Sequence, residues 1–80
     1  MKYTVTSFTR LDGGNSEEYK TEHLETLAYL DSYSDGTTGV VVFDPYKASR
    51  RIYSPRAADK ALAILTKHLN KLGYTEKVED

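Results

Sequence analysis

Cysteine is absent from the 80 residues, so disulfides and thiolate metal sites are excluded. A domain of this size without such staples has to live on packing or on a partner, and the lack of cysteine fits a reducing cytosol. Long apolar runs are absent as well. No segment approaches the ~20 apolar residues of a membrane helix, and the opening MKYTVTSFTR has no signal-peptide core, so a soluble, cytoplasmic chain is expected. Histidine is scarce. Only His23 and His68 could serve as acid/base groups near neutrality or as imidazole ligands, and Ile64 and Leu72 occupy the positions one turn from His68 where a second ligand would sit. Gly13, Gly14 and Gly36 form no phosphate-binding glycine pattern, and no serine stands in a nucleophile elbow. Asp12-Gly13-Gly14-Asn15 lacks the alternating oxygen ligands and terminal glutamate of a calcium loop and reads as a turn. These absences point away from an enzyme and from any metal or cofactor. A catalytic role would fall to Asp44 or Tyr46.

The strongest local signal present is SPRAADKALAILTKHLNKLG, residues 54–73. Ser54 suits an N-cap, Pro55 the first helical position, and Gly73 the left-handed residue that closes a helix. Ala58, Ala61, Leu62, Leu65, Leu69 and Leu72 recur at helical spacing and predict a core-facing stripe. Arg56, Lys60, Lys67 and Lys71 gather on the opposite side as a basic ridge.

Upstream, Lys2–Leu11 predicts a strand whose phase changes between Val5 and Phe8, through either partial cover on both faces or a bulge near Ser7. Residues 18–24 return as the second strand of a hairpin, with Tyr19, Thr21 and His23 on one face; the alternative is a helix capped by Ser16. Thr26–Ser34 predicts a short helix, because Leu27 and Leu30 are a turn apart. Gly39–Asp44 (GVVVFD) is the most apolar run and predicts a central strand needing cover on both sides; Arg50–Tyr53 follows as a short strand. The expected fold class is α+β, a small antiparallel sheet in ββαββα order with two helices on one face, or βαββα on the alternative reading. A single domain covers residues 1–74, and residues 75–80 read as a flexible polar tail. Helices on one face would leave an apolar strip of the sheet exposed, a site for a second copy or a target.

The net charge of −1 conceals a segregation. Residues 12–44 hold eight acids against Lys20 alone, and residues 45–71 hold seven bases against Asp59 alone. Either the two halves neutralise each other on folding, or the surface is bipolar. On the bipolar reading the candidate partner-binding residues are Tyr46, Arg50, Arg51, Tyr53, Arg56, Lys60, Lys67 and Lys71. Seven tyrosines with no tryptophan favour an interface, since tyrosine brings contact area and a hydrogen bond together. The same residues would suit nucleic acid, with aromatics stacking on bases beside phosphate-neutralising cations, although the signatures of the RRM, KH and dsRBD folds are absent.

In size and composition the chain resembles the small inhibitors that phages and mobile elements carry against bacterial defence, anti-CRISPR proteins in particular. Those families share no motif, so the resemblance assigns no residue. It implies a non-catalytic, stoichiometric inhibitor in a bacterial cytoplasm that docks on a CRISPR surveillance complex. The alternative function is a small nucleic-acid-binding module using the basic face of the C-terminal helix.

Overall fold

A computed structural model describes residues 1–47 and 49–78, and these residues form six strands and one helix. The strands are β1 (Lys2–Thr9), β2 (Asn15–Thr21), β3 (Thr26–Ser32), β4 (Thr38–Asp44), β5 (Ser49–Tyr53) and β6 (Glu76–Lys77), with α1 (Ala58–Lys71) before the last. They form one sheet in the order β5-β4-β3-β2-β1-β6. The first five make an antiparallel meander, and β6 lies parallel to β1 through Lys2 and Tyr3. Two residues of the expected tail, Glu76 and Lys77, are therefore held at the sheet, and residues 79–80 lie outside the described residues.

The expectation of two helices in ββαββα order, and of βαββα as its alternative, is overturned: Thr26–Ser32 is an inner strand. A bulge explains why its spacing misleads. Tyr19 pairs with Ala28 while Lys20 pairs with Thr26, so Leu27 is the extra residue on its strand. Leu27 and Ala28 are both buried in the core, and Tyr29 then points the other way, towards Glu18 on the opposite face. Leu27 and Leu30 thus share a side at a spacing of three, which imitates a helical turn. The bulge is here, and β1 pairs in unbroken register from Tyr3 to Thr9, with Phe8 facing away from the core. The preferred hairpin reading of residues 18–24 holds for β2, where Tyr19 and Thr21 are buried; His23 lies in the following turn.

The helix lies over β3 and β4. Ala61, Leu65 and Leu69 meet Tyr19, Leu27, Ala28, Val40, Val42 and Tyr74 in one core, while Leu62 stands 51% exposed. Val40 and Val42 face the helix; Val41 and Phe43 face the open side, where Phe43 meets Tyr29 edge-on at 6.0 Å. The helix starts later than the Ser54 cap predicts. Residues 54–57 instead bridge strand to helix, tied to the sheet by the Thr38 hydroxyl donating to the Pro55 carbonyl at 2.8 Å, and Ala57 is the uncapped N-cap. The end is as expected. Gly73 takes φ +88°, and the amides of Gly73 and Tyr74 donate to Asn70 and Leu69, closing the last turn.

Arg10 ties together the β1–β2 turn, β2 and the end of β3. It donates to the Asn15 carbonyl, to Ser16 Oγ and to the Ser32 carbonyl, and Ser16 Oγ donates onward to Asp31 at 2.6 Å. Gly14 is required there by space. A Cβ would stand 2.5 Å from the Ser32 carbonyl oxygen and closer still to the guanidinium.

Burial also marks the tyrosines. It pushes the Tyr19 hydroxyl up to about 12, with Glu17 and Tyr3 adding to the effect, and it raises Tyr29 and Tyr74. An unfolded tyrosine ionises near about 10, so the folded form holds its proton longer. The sign follows. This contribution is whole below about pH 10 and is lost as the pH climbs through about 12, on the order of 1–2 kcal/mol for Tyr19. Urea midpoints measured from neutral to strongly alkaline pH should fall in that window, with the phenolate absorbance of Tyr19, Tyr29 and Tyr74 lagging that of the other tyrosines. A Tyr19→Phe protein should keep its midpoint further into the alkaline range.

Candidate functional site

The turn between β4 and β5 is shaped by Asp44, whose Oδ1 accepts the Tyr46 amide at 2.9 Å while its carbonyl accepts the Lys47 amide. The chain then returns as β5, the outermost strand on that side. Register sets Arg51 opposite Val42 and Tyr53 opposite Val40, on the helix side of the sheet, and Arg50 opposite Phe43 on the open side. Alternation in a strand therefore places one guanidinium on each side of the same edge. The C-terminal half of α1 approaches from above, fixed where His68 Nε2 donates to the Phe43 carbonyl at 2.8 Å. Lys71 is one turn further on.

Between these elements lies a cleft of about 290 Å3, floored by Val42 and lined by Lys47, Ser49, Arg50, Arg51, Tyr53, His68 and Lys71, with Asp44 as its carboxylate. Four of the eight candidate residues meet here: Arg50, Arg51, Tyr53 and Lys71. The other four do not. Lys67 lines a shallow groove on the outer side of α1 with Leu62, Ala63 and Thr66. Arg56 and Lys60 stand exposed at the start of the helix, and Tyr46 is 72% exposed in the β4–β5 turn, on the side of Tyr74. The single basic ridge is thereby split: of its four residues only Lys71 lines the cleft, beside His68.

Sequence reasoning passed over Lys47, Ser49 and His68. Lys47 is one residue from Tyr46 and carried a signal in the run of bases; His68 sits three residues before Lys71, a spacing that shares a helix face. Val42 carried no such signal, and Asp44 was named only as a candidate for catalysis; the fold of β4 under α1 brings both to the cleft.

The ion pairs are local to the acidic half. Among the described residues the ion pairs within 4 Å are Arg10–Asp12, Arg10–Asp31 and Lys20–Glu18. All lie within residues 10–31, and none joins the acidic segment to the basic one. Glu18 is satisfied locally: the Thr26 hydroxyl donates to it at 2.6 Å, Tyr29 at 3.0 Å, and these with Lys20 hold its carboxyl below the usual range. The meander keeps neighbours in sequence as neighbours in space, so most of the acids stay near β2 and β3 and the bases stay around β5 and α1, with Asp44 the acid that reaches the basic cleft.

No family model, curated protein or solved structure matches the chain. What the cleft can do is set by its own chemistry. Guanidinium and ammonium groups on an exposed edge suit a carboxylate or phosphate, and arginine can hold either through two parallel hydrogen bonds. Among the described residues no group of His, Asp and Glu is arranged to hold a metal ion, and no helix is long and apolar enough to cross a membrane.

Proposed function

We propose that this protein is a non-catalytic inhibitor of the anti-CRISPR kind, acting in the cytoplasm of a bacterial host. It docks the β5 edge and the basic cleft onto an acidic surface of a defence complex, such as a subunit of a CRISPR surveillance complex. One observation carries the reading: Lys47, Arg50, Arg51 and Lys71 line one cleft at an exposed sheet edge, and none is in an ion pair among the described residues. Such a patch steers association with an acidic partner and gains hydrogen bonds on contact. Size and composition supply the rest of the proposal.

A second reading has a specific observation in its favour, since Tyr53 lines the same cleft as the two arginines and could stack on a base while they neutralise phosphate. A tagged pull-down separates the two. The bait is incubated with bacterial lysate containing a CRISPR surveillance complex, with and without nuclease, and the retained proteins are identified by mass spectrometry. A subunit of the complex retained after nuclease treatment is the expected result. Recovery that vanishes with nuclease, together with affinity falling steeply and linearly in log salt, transfers the site to nucleic acid.

A further inference from the structure

We infer that the cleft captures its partner by strand addition: an extended acidic segment pairs with the free edge of β5 and lays carboxylates on Arg50 and Arg51. This deepens the protein-docking reading above and rests on it.

The backbone supplies the first half of the argument. In the sheet order, β5 has β4 on one side and no described strand on the other. Every second residue of β5 must therefore turn its N–H and C=O outward, as the backbone of any edge strand does. Ser49 to Ile52 are exposed, so this edge is open to a partner backbone. The opposite edge of the sheet is different, because β1 there is partly covered by β6.

Charge supplies the second half and selects the occupant. Arg51 projects to the helix side of the edge, where Lys71 and Lys47 share its cleft, and Arg50, which also borders that cleft, projects to the open side beside Phe43. An added strand has the same alternation, so two consecutive acidic residues on it would send one carboxylate to each side. Directly opposed side chains on paired strands stand within ~5.5 Å, close enough for an arginine to engage a carboxylate. The same arginines act against a second copy of the chain. Two β5 strands paired edge to edge would bring like charges face to face, which is destabilising.

The test uses the whole chain, labelled with 15N, and a blocked synthetic peptide of sequence Thr-Val-Glu-Glu-Thr-Val. Its control is the same peptide N-methylated at both glutamates, which keeps the charge but removes strand pairing along both of its edges. Titration should shift the amides of Ser49–Tyr53 and slow the exchange of the outward ones. The N-methylated peptide should bind at least tenfold more weakly, as should the parent peptide to an Arg50→Glu, Arg51→Glu protein. Equal binding of the two peptides overturns strand addition and leaves acidic docking standing. A parent peptide that leaves β5 unperturbed at millimolar concentration also overturns it, and the nuclease-treated pull-down then judges the docking reading alone. If a single-stranded oligonucleotide shifts β5 where the peptide does not, both readings fall. Shifts of β5 with protein concentration alone would assign the edge to a second copy and overturn the proposal.

Discussion

Leu27→Ala is expected to cost about 3–5 kcal/mol, the upper part of the range for truncating a buried leucine. The chain's whole stability should be about 4–12 kcal/mol at this length, so the variant stands near unfolding. Leu27 is fully buried and among the largest side chains that are, in the core that joins α1 to β3 and β4. It is also the extra residue of the bulge, held there by the pairing of Tyr19 with Ala28 and Lys20 with Thr26. Its surroundings are the sheet and helix layers, whose hydrogen-bonded backbones limit how far they can relax into the void. Urea unfolding followed by circular dichroism measures the loss. Leu62→Ala is the matched control, because Leu62 stands half exposed on the helix and should change stability by under about 0.5 kcal/mol. Similar costs for the two would mean that the bulge does not turn Leu27 into the core.

Reversing Arg50, Arg51 and Lys71 to glutamate is expected to weaken binding of the retained partner at least about 100-fold, equivalent to about 2.8 kcal/mol. These three line the cleft from β5 and from the last turn of the helix. The comparison is a triple reversal of Arg56, Lys60 and Lys67, which changes net charge by the same amount outside the cleft. Charges there act mainly through long-range steering, screened beyond ~8 Å at physiological salt, so this variant should slow association modestly and leave affinity within about threefold. All six side chains are exposed, so both proteins should unfold near the parent's urea midpoint. Affinities by titration calorimetry against the partner decide it. Equal losses from the two triplets would show that net charge, and not the cleft, carries recognition.

The two experiments probe what the chain could and could not announce. Locally encoded features were legible. The helix and its glycine stop follow from periodicity and from the tolerance of Gly73 for a left-handed backbone. The strands β1, β4 and β5 follow from β-branched and aromatic runs between turn residues. The segregation of charge could be counted directly, and a meander of short connections preserved it in space. What the sequence left open depended on partners distant along the chain. Leu27 and Leu30 at a spacing of three fit a helix or a bulged strand equally; pairing with β2 and β4 selects the strand. Ser54 and Pro55 have the chemistry of a helix start, yet the Thr38 hydroxyl holds Pro55 at the sheet and the helix begins beyond it.

The site divides in the same way. Which residues are basic, and that they cluster between 45 and 71, can be read along the chain. Only the tertiary structure separated Arg50, Arg51, Tyr53 and Lys71 from Tyr46, Arg56, Lys60 and Lys67, and added Lys47, Ser49 and His68 to the first group. The physical reason is the line along which α1 crosses the sheet. Buried Ala61, Leu65 and Leu69, with His68 bonded to the Phe43 carbonyl, set His68 at the Asp44 end of β4 and Lys71 in the cleft; no local pattern of charges encodes that placement.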